Sequence, residues 1–260
     1  MSKAIAAVKA IYNDCGITDP LELTIEEIIH SKNILIKVEA IEGADGRILM
    51  RDNSAIITIN SDIDFNPKKR FILAHELGHF ELHRFSRKLY NDNDETLNHS
   101  YQKYFSIEEV EANEFASEFL MPTKLFHAEC IGKVFNPTIF NHLANRFQVS
   151  KTAAILKYAM KDNGNHPIFI VCCQNNKMKW FKMSHDWKYY SLFSKGLSPP
   201  TGSIAYEVFQ NGMSNYNDEY NIIWKSDWFV LKKDEPDSEF FEYCFFVPIL
   251  NYMISVIWEK

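Results

Sequence analysis

Apolar residues return every three or four positions over residues 2–14, which predicts an amphipathic helix at the start of the chain. Thr24 followed by Glu27 has capping-box spacing and opens a second, short helix. The period then changes. Segments 34–41, 46–51 and 55–60 alternate or run apolar, with turns at Gly43 to Gly46 and at Asp52-Asn53, and predict a small sheet. A longer helix follows, with Asn66 as N-cap and Pro67 in its first helical position, and with Phe71, Ile72, Leu73, Leu77, Phe80 and Leu82 as apolar neighbours. Residues 106–122 predict another helix, and past Pro122 come a short helix from Thr123 and a helical stretch over 136–157 whose second half resembles a helix-turn-helix capped by Ser150. Turn residues crowd 162–167, and beyond them strand-like runs occupy 168–173, 178–183, 222–231, 243–247 and 252–258. The expected class is α+β. It comprises a domain over 1–125, a helical segment over 126–162 and a C-terminal mixed α/β domain over 163–260.

The third helix carries the candidate chemistry. In His75-Glu76-Leu77-Gly78-His79 the two histidines fall one turn apart on one face, so both imidazoles can converge on a single ion. A zinc held by two neutral imidazoles and one further side chain keeps a position open for water, and Glu76, beside the ligands but not one of them, is placed as general base. Gly78 inside a helix costs about 1 kcal/mol relative to alanine, which points to a close approach of something to the backbone there. A structural helix with two hydrogen-bonded core histidines is the plain alternative. The third ligand is expected from the next helix. Glu109 shares a stripe with Asn113, Ala116 and Leu120 next to the apolar face, while Glu111, Glu114 and Glu118 are expected on the opposite, solvated face. Two other readings stay open: Glu109 closing a capping box with Ser106, and Glu111 as the ligand. Asn113 is placed to orient a ligand, and His83 to stand behind the metal or face substrate, because three ligands one turn apart on a straight helix do not easily reach one ion.

These residues carry a family resemblance. Arg70-Phe71, Ala74-His75-Glu76-Leu77-Gly78-His79 and His83, followed by Glu109, Ala112-Asn113, Phe115-Ala116 and Leu120-Met121-Pro122, resemble the ImmA/IrrE zinc metallopeptidases. Strand 56–60 resembles the edge strand that lies beside the cleft in that family, where an extended substrate can pair by main-chain hydrogen bonds. The resemblance implies a cytoplasmic endopeptidase that cleaves a repressor-type transcription regulator, under control of stress or of a mobile element. It implies a gluzincin-like site with zinc on His75, His79 and Glu109 and with Glu76 as base. It also implies, in some members, a C-terminal sensor-like domain that regulates the peptidase or recruits substrate. The loop over 86–104 is long and polar, a departure that bears on where Glu109 sits.

Composition narrows the picture little. With a net charge of −6 and 46% hydrophobic residues the 260-residue chain reads as a globular protein without a broad field for nucleic acid. No apolar run reaches the roughly 18 residues of a membrane span, and Lys9 with Asn13-Asp14 interrupts the first apolar stretch, so neither membrane insertion nor a signal peptide is expected. Cys15, Cys130, Cys172, Cys173 and Cys244 lack metal-site spacing and are expected as reduced thiols. Lys151, Thr152 and Lys157 are the residues that could face DNA, but without a basic stripe a structural helical pair is preferred. His127 and His142 carry no assigned chemistry. Trp180, Trp187, Trp224, Trp228 and Trp258 suit a packed β-core better than a ligand pocket. The donor that would stabilise an oxyanion is not identified, with His83, Tyr101 and Tyr104 as candidates. The competing class is a regulatory protein that binds DNA or a partner through these later segments, with a structural or degenerate zinc site. Glu76 counts against it, since a structural site needs no base.

Overall fold

The computed structural model describes residues 1–51, 53–85, 107–211, 219–247 and 251–260. Ser106, Tyr101, Tyr104 and the loop over 86–104 lie outside these residues, as does the proposed Ser106 cap. The chain divides into two compact units, one of Met1–Leu125 with Ala144–Ser150, the other of Phe126–Leu143 with Lys151–Lys260.

The first unit begins with helix α1 (Lys3–Cys15), capped by Ser2 and closed by Gly16 in a left-handed conformation, and α2 (Ile25–Ser31), whose Thr24–Glu27 capping box is present in both directions. Strands β1 (Ile34–Glu39), β2 (Gly46–Arg51) and β3 (Ser54–Asn60) form a sheet in the order β1-β3-β2, with β3 parallel to β1 and antiparallel to β2. The segment expected as the edge, 56–60, is therefore the central strand, and its Ala55, Ile57, Thr58 and Ile59 are buried. The reason is pairing: a strand parallel to β1 cannot be reached from it by a tight turn, so β2 lies across β3 from β1. Helix α3 (Asn66–His83) starts one residue earlier than expected. Its N-cap is Phe65, which makes no side-chain cap bond, and Asn66 and Pro67 are already helical. Helix α4 (Ile107–Leu120) packs along α3, and α1 packs on both. Tyr12 of α1 sets its ring edge-on to Phe119 at 5.7 Å and donates from its hydroxyl to the Phe119 carbonyl at 2.6 Å.

Helices α5 (Thr123–Cys130) and α6 (Thr138–Phe147) follow, then α7 (Lys151–Tyr158), separated from α6 by three residues with Gln148 at a φ of 52°. The second sheet is antiparallel throughout, in the order β5-β4-β8-β7-β6, from β4 (Phe169–Gln174), β5 (Lys177–Met183), β6 (Tyr220–Trp224), β7 (Glu239–Val247) and β8 (Tyr252–Glu259). Asn175 and Asn176, at φ 53° and 56°, make the β4–β5 turn, as their side chains' tolerance of that region favours. The run expected as one strand over 222–231 breaks at Trp224 into a helical turn, α9 (Lys225–Trp228), where Asp227 accepts from the Trp224 amide. Helix α8 (Ile204–Asn211) was not anticipated. Trp228 and Trp258 are core residues, whereas Trp180 and Trp224 are exposed.

A carboxyl group sits inside this second core. Glu242 is fully buried, and its carboxyl accepts from the Ile204 amide at 2.7 Å, the Ala205 amide and Trp228 Nε1 at 3.3 Å each, and the Ser255 hydroxyl. Burial raises its pKa, and the four donors pull the other way. The carboxyl thus satisfies the free amides at the start of α8 and ties that helix to the sheet. The five cysteines are free thiols, and burial pushes Cys130 and Cys173 up to about 12 and Cys172 up to about 11, which leaves them unreactive. No helix among the described residues is long and apolar enough to cross a membrane.

Candidate metal centre

Two helices build the site. α3 turns His75 and His79 to one side, and α4 brings Glu109 against them from its first turn. Gly78 is what allows this approach, since a Cβ there would stand 3.0–3.1 Å from the Phe115 side chain. Phe115 is itself fully buried and stacked on Phe119, so it has little room to give. His75 Nε2 lies 3.3 Å from Glu109 Oε2, His79 Nε2 lies 3.2 Å from Glu109 Oε1, and the two Nε2 atoms are 3.0 Å apart. Among the described residues this is the one group of three His, Cys, Asp or Glu whose ligand atoms cluster so closely.

The donor set suits a tetrahedral divalent ion. Bonds of about 2.0–2.1 Å place two tetrahedral ligand atoms about 3.3 Å apart, close to the edges seen here. Hydrogen bonding makes the case more sharply. His75 Nδ1 faces Asn113 Oδ1 at 3.1 Å, and an amide oxygen only accepts, so Nδ1 carries the proton and the neutral ring keeps a lone pair on Nε2. That lone pair points at a carboxylate that also only accepts. Two acceptors 3.3 Å apart in a half-buried setting repel unless a metal ion or a shared proton lies between them.

Glu76 stands next to this group with 7% of its surface exposed. Burial, and then the negative charge of Glu109, push its carboxyl up to about 7. Burial also lowers the pKa of His79, with His75 acting in the same direction, and so keeps its imidazole in the neutral form that can bind metal. Strand β2 closes the other side of Glu76. A Cβ at Gly46 would lie 2.3 Å from Ile72 Cγ2 and 3.4 Å from Glu76 Oε1, so only glycine lets the strand begin there.

The remaining glutamates of α4 are not on a solvated face. Glu118 is buried and accepts from the Thr123 amide and hydroxyl, at 3.1 and 2.7 Å, and Glu114 accepts from the Ser2 hydroxyl at 2.8 Å. Glu111 reaches His83 Nε2 at 3.1 Å, and His83 Nδ1 lies 3.1 Å from His79 Nδ1. The two-face reading failed because the first helix, the third helix and the chain past Pro122 surround α4. Gly46 escaped attention because its role depends on a neighbour 30 residues away in sequence. The three DNA-facing candidates pack inward: Lys151 donates to the Tyr243 hydroxyl and lies over the Tyr243 and Phe245 rings, Thr152 meets Tyr252, and Lys157 is buried. His142 pairs with Glu129 at 2.8 Å and His127 Nδ1 lies 3.3 Å from the Asn163 carbonyl.

Comparison with known proteins bears on the family. The Peptidase M78 family model, described as an IrrE N-terminal-like domain, matches residues 30–158, a span that holds every residue of the centre. A search of curated proteins found no match. Among solved structures, a Mycobacterium tuberculosis transcriptional regulator superposes with a TM-score of 0.63 at 12% identity, over 100% of this chain and 77% of that one, a likeness of fold. Through residues 30–158 the chain belongs to the ImmA/IrrE family, whose members are metallopeptidase-like.

Proposed function

We propose that this chain is a zinc-dependent endopeptidase, with His75, His79 and Glu109 as metal ligands, Glu76 as general base and a repressor-type transcription regulator as substrate. The observation that carries the proposal is the convergence of three ligand atoms within 3.0–3.3 Å beside a buried carboxyl. Zinc bound there supplies Lewis acidity toward the scissile carbonyl and the attacking water. Glu76 takes the proton of that water and later delivers it to the leaving amine, and a cation among the ligand atoms draws its raised pKa back into the range where it accepts one. Asn113 holds His75 in the tautomer that keeps Nε2 free. Strand β2 pairs with β3 on one side and has no strand partner on the other among the described residues. Its backbone, starting beside Glu76, offers an extended substrate main-chain hydrogen bonds. The repressor substrate rests on the family resemblance.

A second reading, a regulator that binds DNA or a partner and uses the metal only structurally, draws on the transcriptional regulator among similar folds. Glu76→Gln separates the two. Elemental analysis should find one zinc in wild type, in Glu76→Gln and in His142→Ala, and none in His79→Ala or Glu109→Ala. Repressor cleavage should be lost in Glu76→Gln. Wild-type protein that stays metal-free when zinc is supplied would overturn the peptidase reading, and full cellular effect of Glu76→Gln would favour the regulator.

A further inference from the structure

We propose that His83 and Glu111 form a hydrogen-bonded pair that sets the tautomer of His79 and thereby presents its Nε2 to the metal. The inference rests on the metal site of the previous subsection and extends it to residues that touch no metal. Glu111 Oε2 lies 3.1 Å from His83 Nε2, and a carboxylate only accepts, so His83 carries its proton on Nε2. When His83 carries only that one ring proton, its Nδ1 is bare. That atom faces His79 Nδ1 at 3.1 Å, and two ring nitrogens at this separation share one proton, which must come from His79. His79 is left with Nδ1–H and an Nε2 lone pair, and this lone pair faces His75 Nε2 at 3.0 Å and Glu109 Oε1 at 3.2 Å.

With a single ring proton on His83, the order Glu111, His83, His79 runs one way. Each group determines the proton position of the next, and the series ends at the ligand atom. The pair is shielded, with 9% of the His83 side chain and 25% of the Glu111 side chain exposed, so water competes poorly for these bonds. It is also built by both helices of the site, since His83 ends α3 one turn beyond His79 and Glu111 lies two residues past Glu109 on α4. His75 has the equivalent support from Asn113 alone. The two ligand histidines are thus oriented by different chemistry, an amide oxygen in one case and an imidazole backed by a carboxylate in the other.

His83 and Glu111 are positioning residues, and two measurements test the role. Zinc affinity is read by competition with a chromophoric chelator, and imidazole tautomers are read by ¹⁵N–¹H NMR of the metal-free protein. Wild type should show His79 as the Nδ1–H form before zinc is added. His83→Ala and Glu111→Ala should weaken zinc binding about 10- to 100-fold. His83→Asn, whose amide oxygen stands near the position of Nδ1, should restore most of the affinity. Equal affinity in wild type, His83→Ala and Glu111→Ala, or an Nε2–H His79 in metal-free wild type, would overturn the inference. Wild type that binds no zinc while His79 shows the Nδ1–H form would instead strike the peptidase reading and leave the pair standing.

Discussion

Glu76 joins two demands that oppose one another. A base beside a metal has to be shielded from water, yet burial without the metal makes its charge costly. With the folded pKa at about 7 against an ordinary 4.5, the metal-free native state binds more protons than the unfolded chain between those values. Stability from this group is therefore greatest below pH 4.5 and falls as pH rises toward 7, by about 3 kcal/mol in all. Metal-free Glu76→Gln should lack that loss, so denaturant unfolding at pH 5 and pH 8 should show the variant gaining on wild type at the higher pH. Zinc should remove much of the difference. In catalysis the same substitution should cut turnover about 10²- to 10⁴-fold with the metal retained. A variant that unfolds with the pH dependence of wild type would place the burial penalty elsewhere.

At the scale of elements, the helices up to α7 were readable because their signals are local, whereas α8 and α9 were not. The capping box at Thr24, the spacing of His75 and His79 and the paired asparagines at 175 and 176 each lie within a few residues. Strand order was not readable, because whether 46–51 or 56–60 lies at the edge depends on which strand β1 selects across a loop. Helix faces were half readable. Glu109 points inward as its stripe suggests, but Glu118 is buried by the residues past Pro122, which a helical wheel does not see. Gly78 is where a local anomaly reported a distant contact, and it supplies a test. Alanine there gains about 1 kcal/mol in helix propensity but presses on Phe115, at a cost of about 1–3 kcal/mol for an overpacked core. Gly78→Ala should lower unfolding free energy on the order of 1 kcal/mol and weaken zinc binding as α4 is pushed outward. Chemical denaturation with and without zinc checks both.

Across the whole molecule each unit has its own sheet and its own device for holding a helix in place. In the first unit the proposed ligand group would be that device. Zinc at about 100 times its Kd should add about 2.7 kcal/mol of stability, with slower hydrogen exchange in α3 and α4, and a chelator should reverse both. In the second unit the device is Glu242. Glu242→Ala strands two backbone amides, an indole N–H and a hydroxyl in the core, and should cost about 3–5 kcal/mol, with Glu242→Gln costing less. Thermal melts followed by tryptophan fluorescence measure this. The division into units was the least legible feature. Residues 144–150 group with the first unit although 126–143 and 151–260 form the second: the crossing at 143–144 falls inside α6, where no turn marks it, and the crossing at 150–151 falls at the short turn before α7. Strand β2 carries a last consequence. A backbone left unpaired so that a substrate strand can lie on it is equally open to the same strand of another copy, and β2 adds exposed Leu49 and Met50 to that risk. Arg47 and Arg51, both exposed, bracket these apolar residues and would meet like charge in a stacked copy. On the proposed peptidase reading they would act as gatekeepers against edge-to-edge aggregation, leaving the strand available to a cleavable guest and closed to its own kind.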